Sequence, residues 1–338
     1  AIALPQLNGS VTSNHFFDIP VTTLPDFISP SVYNVLVNNG VVDGSGRPIV
    51  FPANGFGSVP ARFGTSWNMS GGIDVAQIQR FGALYIAAAR LKSISKWKMI
   101  IAAVDIGNPL FYLIAVGVGI GVLVEQGSGT DGTSGIKYIA FIAPALLANS
   151  AIAAVMDETI FPTIEGFKWR KLFFAQNATP ITGRQIALGV YLSALCRAIA
   201  SVSIYYILLL AFNVVDFGLS ILLIAVAVLG GAAFGAVILF AAAKIENHDQ
   251  FFNILGRLVI MPMFLFSGTF FPLSSMPIYL QPIGWVSPLW HATELGREAA
   301  FDYGVSTLMV IVHITFLSVL VIVGLFLSMR QFERRLAK

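Results

Sequence analysis

Residues 219–243 read LSILLIAVAVLGGAAFGAVILFAAA and contain no charged side chain. A helix rises about 1.5 Å per residue, so this stretch is about 38 Å long as a helix and exceeds a bilayer hydrocarbon core of about 30 Å. The stretch therefore predicts a transmembrane helix. Its glycines, Gly230, Gly231 and Gly235, indicate close helix packing or a hinge.

The composition of the whole chain is that of a membrane protein. Hydrophobic residues make up 56% of the 338 positions, charged residues make up 11%, and the mean hydropathy is +0.79. A soluble domain of this length carries far more charge. The net charge of +3 is too small to indicate nucleic-acid binding, and the single cysteine, Cys196, excludes disulfides within the chain and cysteine-rich metal sites.

The hydropathy pattern predicts an all-α polytopic membrane protein with six transmembrane helices. The predicted spans are residues 99–124, 138–156, 186–212, 219–243, 254–271 and 304–328. Together they form a predicted transmembrane domain over residues 99–338.

The basic residues predict the orientation of these spans. Fourteen of them fall on one side: Arg90, Lys92, Lys96, Lys98, Lys168, Arg170, Lys171, Arg184, Lys244, Arg257, Arg330, Arg334, Arg335 and Lys338. Only Lys137 and Arg297 fall on the other side. Because loops rich in lysine and arginine stay in the cytoplasm, we expect both termini there and an even number of spans.

Two segments precede the first span. Residues 1–72 are rich in Ser, Thr, Asn, Gly and Pro and contain no lysine, so we expect a cytoplasmic extension that is either poorly structured or a small cap ordered by a partner. Residues 73–98 predict an amphipathic connecting helix that lies in the membrane interface and ends in basic residues. Its predicted apolar face consists of Val75, Ile78, Phe81, Leu84, Tyr85 and Ala88.

The segment between the second and third spans, residues 165–182, predicts a short amphipathic helix. Its apolar side would hold Phe167, Trp169, Leu172 and Phe173, and its basic side Lys168, Arg170 and Lys171. Pro180 would end this helix and Thr182 would cap the next one. Such a segment is either a lever that docks into a cytosolic partner or a helix that rests on lipid headgroups.

Prolines interrupt the apolar stretch before the last span. Pro272, Pro277, Pro282 and Pro288 allow only short helical pieces. Because non-helical backbone at membrane depth must be buried in protein or line a cavity, the stretch predicts a re-entrant hairpin that dips in from the outer face. We expect Trp285 and Trp290 to anchor it at the interface; the alternative is an external loop lying on the membrane.

Among the ionisable or polar residues within the predicted spans, a set stands out: Asp105, Asn108, Asn149, Arg197 and His313. Ionisable residues inside a membrane usually have a partner, and Asp105 and Arg197 lie at depths that would let them pair. His313 has no second histidine nearby in sequence, so we interpret it as a contact between helices. No phosphate-binding glycine loop, His-Glu-x-x-His motif or nucleophile-and-base pair occurs, so the sequence does not predict an enzyme.

These features resemble the membrane-spanning subunit of type-2 ABC exporters, a family of bacterial drug, lipo-oligosaccharide and polysaccharide exporters. The resemblance covers residues 74–338 and is most specific where residues 266–273 read FSGTFFPL and residues 287–292 read SPLWHA, followed by Arg297. It implies an outer gate formed by Phe266, Ser267, Gly268, Phe271, Pro272, Pro288, Trp290, His291 and Arg297. It implies a coupling helix with Glu165, Gly166, Lys168, Trp169, Arg170, Phe173, Thr179 and Pro180.

The resemblance also implies partners and a location. It implies a dimer of such subunits in the bacterial plasma membrane, above two ATPase subunits that bind ATP and Mg, with no cofactor on this chain. The 72-residue extension is longer than a typical bacterial member carries. We expect export of an amphipathic drug-like or lipid-linked substrate. The alternatives are a polysaccharide or teichoic-acid exporter, a membrane-embedded lipid enzyme and a structural subunit.

Overall fold

The computed structural model describes residues 75–120, 137–245 and 255–337, and every regular element in these ranges is helical. The ten α-helices are α1 (Val75–Ile94), α2 (Lys98–Tyr112), α3 (Tyr138–Ile164), α4 (Leu172–Asn177), α5 (Gly183–Ala211), α6 (Leu222–Lys244), α7 (Met261–Phe266), α8 (Gln281–Val286), α9 (Pro288–Phe301) and α10 (Thr307–Leu336). The predicted N-terminal extension lies outside the described residues.

Shorter helical turns extend several of these helices. They are 3-10 turns at Ser95–Trp97, Leu219–Ile221 and Leu273–Ser275, and π-helical turns at Leu113–Ile120, Glu165–Trp169 and Leu255–Ile260. Within the described residues, five helical stretches are long and apolar enough to cross a membrane: Gln77–Ala115, Tyr138–Trp169, Gly183–Ala211, Leu219–Lys244 and Thr307–Leu336. The prediction of an all-α polytopic membrane protein is confirmed.

The predicted fifth span is shorter than expected. Its helix covers Leu255–Phe266 within the described residues and ends before residue 271, where the prediction placed its end. The backbone of Gly268 has φ +71, in the left-handed region, and Pro272 follows. Both features oppose continuation of a right-handed helix. The count of six spans therefore stays a prediction.

The second span is longer than predicted. We expected it to end at Asp157 and Glu158, but α3 continues to Ile164 and then through π-helical turns to Trp169. The carboxylate of Glu158 lies 3.5 Å from the guanidinium of Arg90 on α1. This ion pair gives the acidic residue a partner inside the bundle, so the helix does not end at the polar positions.

The connecting helix α1 packs on α5 through a face other than the apolar face that we predicted to lie in the membrane interface. Its buried residues are Gly82, Ala83, Ile86 and Ala87, which pack on α5, while Phe81 and Leu84 are 40% and 54% exposed. A Cβ atom on Gly189 of α5 would lie 2.5 Å from Cβ of Ile86. Small residues on both helices thus allow a close approach that larger side chains would prevent.

The core lies where α3, α5, α6, α9 and α10 meet. Its fully buried side chains include Phe141, Ile142, Leu147, Ile152, Leu209, Leu223, Leu239, Leu289 and Leu317. The glycines of α6 permit this packing, because Cβ atoms on Gly231 and Gly235 would lie 2.9 Å from Ala151 and 2.0 Å from Val155 of α3. Their predicted role in close packing is confirmed.

Candidate functional site

The first of three features that bear on function is the segment that follows α3. It is two short helices rather than the predicted single one, because Lys171 adopts the left-handed conformation with φ 52 between the π-helical turns and α4. Thr182 caps α5 as predicted: its side chain accepts a hydrogen bond from the backbone N–H of Gln185, and the Gln185 side chain accepts one from the backbone N–H of Thr182.

Two phenylalanines fix this segment to the last span. The rings of Phe167 and Phe173 lie 4.9 Å apart and contact the ring of Phe332 on α10 at 4.9 Å and 5.4 Å. Gly166 makes room for this cluster, since a Cβ atom there would lie 2.3 Å from the Phe173 ring. The segment therefore joins α3, α5 and α10 into one packed unit.

The predicted apolar side of the segment divides into two surfaces. Phe167 and Phe173 are buried, whereas Trp169 is 62% exposed and Leu172 is 42% exposed. The break at Lys171 turns these side chains away from the core. Beside them, Arg170 pairs with Glu165 at 3.1 Å, and the side chains of Lys168, Thr179 and Pro180 are exposed. We call the exposed surface around Trp169 the coupling surface.

The second feature is the proline-broken stretch. Helix α9 runs antiparallel to α6, since Ala292 packs on Gly230 while Gly296 packs on Leu223 and on Pro144 of α3. The first turn of α9 therefore lies beside the middle third of α6. This packing places backbone of the predicted hairpin alongside the spans rather than over their ends.

Arg297 holds this hairpin in place. The charge pattern placed it on the outer side and the resemblance placed it among the gate residues; its side chain is completely buried. Its guanidinium donates hydrogen bonds to the carbonyl oxygens of Gly268 at 2.6 Å and Phe141 at 3.2 Å, and to the carboxylate of Glu294 at 2.9 Å. It also stacks 3.7 Å from the ring of Phe141. The charge is therefore paired and links α3, α9 and the end of α7.

The remaining predicted gate residues surround this link. The Ser267 hydroxyl donates to the Ser287 hydroxyl at 2.7 Å, which connects the ends of α7 and α9. Gly268 lies against Trp290, because a Cβ atom there would be 3.3 Å from the indole ring. Phe266, Pro272 and Pro288 are half-buried, whereas Phe271 is 46% exposed.

His291 and His313 form a pair that sequence spacing did not reveal. Their Nδ1 atoms are 2.7 Å apart, and Nε2 of His291 lies 2.9 Å from the carbonyl oxygen of Trp285. His313 is thus a helix contact, as interpreted, but its partner is a histidine. The Trp290 ring lies edge-on to both histidine rings, with centroid distances of 4.9 Å, whereas Trp285 is 49% exposed. The role of both tryptophans as interfacial anchors stays a prediction. The described residues contain no group of three or more potential ligands that could hold a metal ion.

The third feature is a cavity of about 370 Å³ between α2, α3 and α5. All four polar residues predicted for the spans other than His313 line it: Asp105, Asn108, Asn149 and Arg197. The guanidinium of Arg197 donates two hydrogen bonds to the Asp105 carboxylate at 2.6 Å and 2.9 Å, so the predicted pair is confirmed. We call this space the polar cavity.

Further polar residues line the polar cavity that sequence reasoning did not assign to a site: Tyr112, Ser150, Asp157, Ser201 and Tyr205. The helical spacing of these residues is the sequence signal that could have identified them. Arg197, Ser201 and Tyr205 lie four residues apart on one face of α5, and the lining residues of α2 and α3 recur at three- and four-residue intervals. The Ser150 and Ser201 hydroxyls also hydrogen-bond at 3.2 Å across α3 and α5.

Comparisons with known proteins agree with this arrangement. A sequence profile of the ABC-2 type transporter family matches residues 83–301, which include the coupling surface, the polar cavity and the hairpin. Nodulation protein J of Neorhizobium galegae is 27% identical over 260 residues, covering 76% of this chain and 96% of that protein. Nodulation protein J of Rhizobium meliloti (strain 1021) is 28% identical over 265 residues, covering 78% of this chain and 97% of that protein.

A further relative, Nodulation protein J of Sinorhizobium fredii (strain NBRC 101917 / NGR234), is 28% identical over 246 residues, covering 71% of this chain and 89% of that protein. The family match spans more than half of the chain and includes all three features. The chain therefore belongs to the ABC-2 type transporter family and is a multi-pass permease subunit of an ABC exporter.

Proposed function

We propose that this chain moves an amphipathic drug-like or lipid-linked substrate outward by alternating access, driven by ATP hydrolysis on a separate partner subunit. The coupling surface carries this proposal. Trp169 stands exposed on a segment that the Phe167–Phe173–Phe332 cluster ties to three long helices. A partner that binds this surface and moves would tilt those helices together.

Two copies of the chain and two ATPase subunits make up the proposed complex. Helix α2 is the proposed dimer face, because it lines the polar cavity and carries exposed apolar side chains that either a second copy or lipid would cover: Met99 is 81% exposed, Val104 50% and Phe111 74%. These faces border the polar cavity, so a second copy against them would close it into a central pathway. The ATP and Mg required for transport would bind to the ATPase subunits.

The hairpin is the proposed outer gate, with both termini of the chain in the cytoplasm of a bacterial cell. The Arg297 link and the Ser267–Ser287 hydrogen bond hold it closed against α3 and α6. Opening would separate these contacts while α9 stays packed as a unit. Such discrete packing suits a gate with two states.

A glycan substrate is the second candidate, and one observation favours it. The polar cavity presents the amides of Asn108 and Asn149 and the hydroxyls of Ser150 and Ser201, which can hydrogen-bond sugar hydroxyl groups. Its two tyrosines, however, come from different helices and form no aromatic row along one span. We therefore retain the amphipathic substrate as the leading proposal.

Purification of the tagged chain from its host tests the proposal. We expect an ATPase to copurify and to hydrolyse ATP in a vanadate-sensitive manner. Trp169→Ala should reduce the amount of bound ATPase by about tenfold, since exposed tryptophans at an interface often dominate its affinity. Trp285→Ala is the matched control, because Trp285 is also about half exposed but lies in the hairpin. A stable complex without any ATPase would refute the exporter.

A further inference from the structure

Four carboxylates line the polar cavity and a second cavity beside it, and three of these carboxylates are paired with arginine. Asp105 pairs with Arg197 at 2.6 Å, Glu158 with Arg90 at 3.5 Å, and Glu165 with Arg170 at 3.1 Å. The fourth is Asp157, whose exposed carboxylate forms no ion pair or hydrogen bond within the described residues. Among the described lining residues of the polar cavity, two carboxylates accompany one arginine, so this lining carries one excess negative charge.

Asp157 occupies a distinctive position on α3. It lines both the polar cavity and a second cavity of about 300 Å³ bordered by Arg90, Trp97 and Glu165. It lies nineteen residues, or about 28 Å of helix, from Tyr138 and next to the Arg90–Glu158 pair. The basic end of α1 lies here, so a solute entering from that side of the membrane meets Asp157 first.

A second observation points to a ligand in the same cavity. Tyr205 lines it and is only 2% exposed, yet its hydroxyl has no hydrogen-bond partner in the described part of the chain. A buried hydroxyl is unfavourable until it is paired. A bound molecule that carries an N–H group would pair it.

The charged residues that line the cavity determine whether that molecule is an anion, a neutral molecule or a cation. Arg197 is its only basic lining residue, and both of its terminal nitrogens are bonded to Asp105. An anion would therefore find no free cation there and would face Asp157. A neutral molecule would leave the carboxylate unbalanced. A cation would balance it, and Tyr112 and Tyr205 place aromatic side chains, which favour cations, in the wall of the same cavity.

We propose that the polar cavity binds the cationic head of the exported amphiphile, an organic cation with N–H groups. Asp157 supplies the opposite charge and the Tyr205 hydroxyl accepts a hydrogen bond. The Asp105–Arg197 pair shapes the wall between them, and apolar neighbours such as Val104 and Leu146 contact the rest of the molecule. This inference rests on the proposed export function and specifies the substrate class of the same permease.

Two related dyes test the preference for a cation. Rhodamine 6G is a net cation with N–H groups, whereas rhodamine B is a zwitterion at neutral pH, because its carboxylate offsets the same xanthene cation, and its tertiary amines carry no N–H group. Fluorescence anisotropy would measure their binding to the full chain in phosphatidylcholine nanodiscs, with empty nanodiscs subtracted. We expect rhodamine 6G to bind at least about tenfold more tightly, and Asp157→Asn to remove about tenfold of its affinity while leaving rhodamine B unchanged.

Three variants make the test specific. Asp157→Glu keeps the charge and should retain tight binding, so it separates charge from folding. Tyr205→Phe should weaken rhodamine 6G by about threefold. Asp216→Asn removes the same charge from an exposed position in the loop between α5 and α6 and should change neither affinity.

Equal affinities for the two dyes, or an unchanged affinity for rhodamine 6G in Asp157→Asn, would overturn the cation site. These measurements need neither ATPase nor nucleotide. A negative result in the dye-binding measurements would therefore leave the result of the ATPase copurification unaffected. Loss of that copurification would refute the export function while leaving the dye affinities as they are.

Discussion

At the scale of single residues, Arg297 shows how a charge is accommodated in the interior of this bundle. Its hydrogen bonds reach two carbonyl groups and one carboxylate on separate parts of the fold. Truncation of the Arg297 side chain would leave these two carbonyl groups and the carboxylate without their hydrogen-bond donor. Arg297 therefore positions the hairpin through the directions of its hydrogen bonds rather than through its positive charge alone.

We expect Arg297→Ala to reduce the free energy of unfolding by about 3–5 kcal/mol, because it breaks a buried pair and leaves Glu294 uncompensated. The midpoint of thermal unfolding in detergent measures this loss. Arg184→Ala is the control: Arg184 pairs with Glu333 at 2.7 Å, but the two side chains are 64% and 37% exposed, so at most about 1 kcal/mol should be lost. Equal shifts for both variants would contradict the assigned role of Arg297.

The Asp105–Arg197 pair gives a second residue-scale prediction. Asp105→Asn and Arg197→Gln should each lower the unfolding midpoint, since each leaves one buried charge alone. The double variant should be less damaging than the sum of the two, with a coupling energy of about 1–3 kcal/mol. Additive losses would mean that the two side chains do not stabilise each other.

At the scale of helices, packing is decided by small residues. Gly235 on α6 illustrates this, since Val155 of α3 occupies the space that a Cβ atom would need. We expect Gly235→Ala to cost about 1–3 kcal/mol of unfolding free energy through overpacking.

Gly256→Ala serves as the control for Gly235→Ala. Nothing lies within 4 Å of a Cβ atom at Gly256, and alanine favours a helix, so its unfolding midpoint should stay the same or rise. An unfolding midpoint for Gly235→Ala equal to that of the parent would show that α3 and α6 can separate freely at this point.

The sequence predicted helices better than their contacts. Hydropathy located five long spans, and the side-chain chemistry of Thr182 located the start of α5. The side of α1 that packs on α5 was not predicted, because amphipathicity identifies large apolar residues whereas close packing selected Gly82, Ala83 and Ala87. In a membrane, exposed large apolar residues carry no penalty, so hydrophobicity alone does not identify a buried face.

The chemical types of residue in the candidate site were predictable from the sequence, but the full set of site residues was not. The polar residues of the spans were recognisable one by one, and all but His313 converge on the polar cavity. The pairing of His291 with His313 depends on how the hairpin turns back on α10, which periodicity does not specify. Asp157 was taken for the end of a span because the ion pair that continues the helix past Glu158 is a tertiary contact.

At the scale of the whole molecule, the topology makes a direct prediction. The coupling surface and the hairpin should lie on opposite sides of the membrane. Cys196 is exposed, so it is first replaced by serine to give a background without cysteine. Ile278→Cys, at a position that is 78% exposed, should then react with an impermeant maleimide added to intact cells, whereas Trp169→Cys should react only after lysis. Labelling of both from outside would overturn the orientation.

Helix α10 makes contacts near both ends of the bundle. His313 near its start touches His291 of the hairpin, and Phe332 near its end touches the aromatic pair of the coupling segment. Phe332 follows His313 by nineteen positions, or about 28 Å of helix, with no proline between them. The polar cavity is lined by α2, α3 and α5 and not by α10. In the proposed transport cycle, α10 would therefore connect the coupling surface to the hairpin without lining the cavity, so substitutions at cavity positions of α2 could alter which cargo binds while leaving that mechanical connection intact.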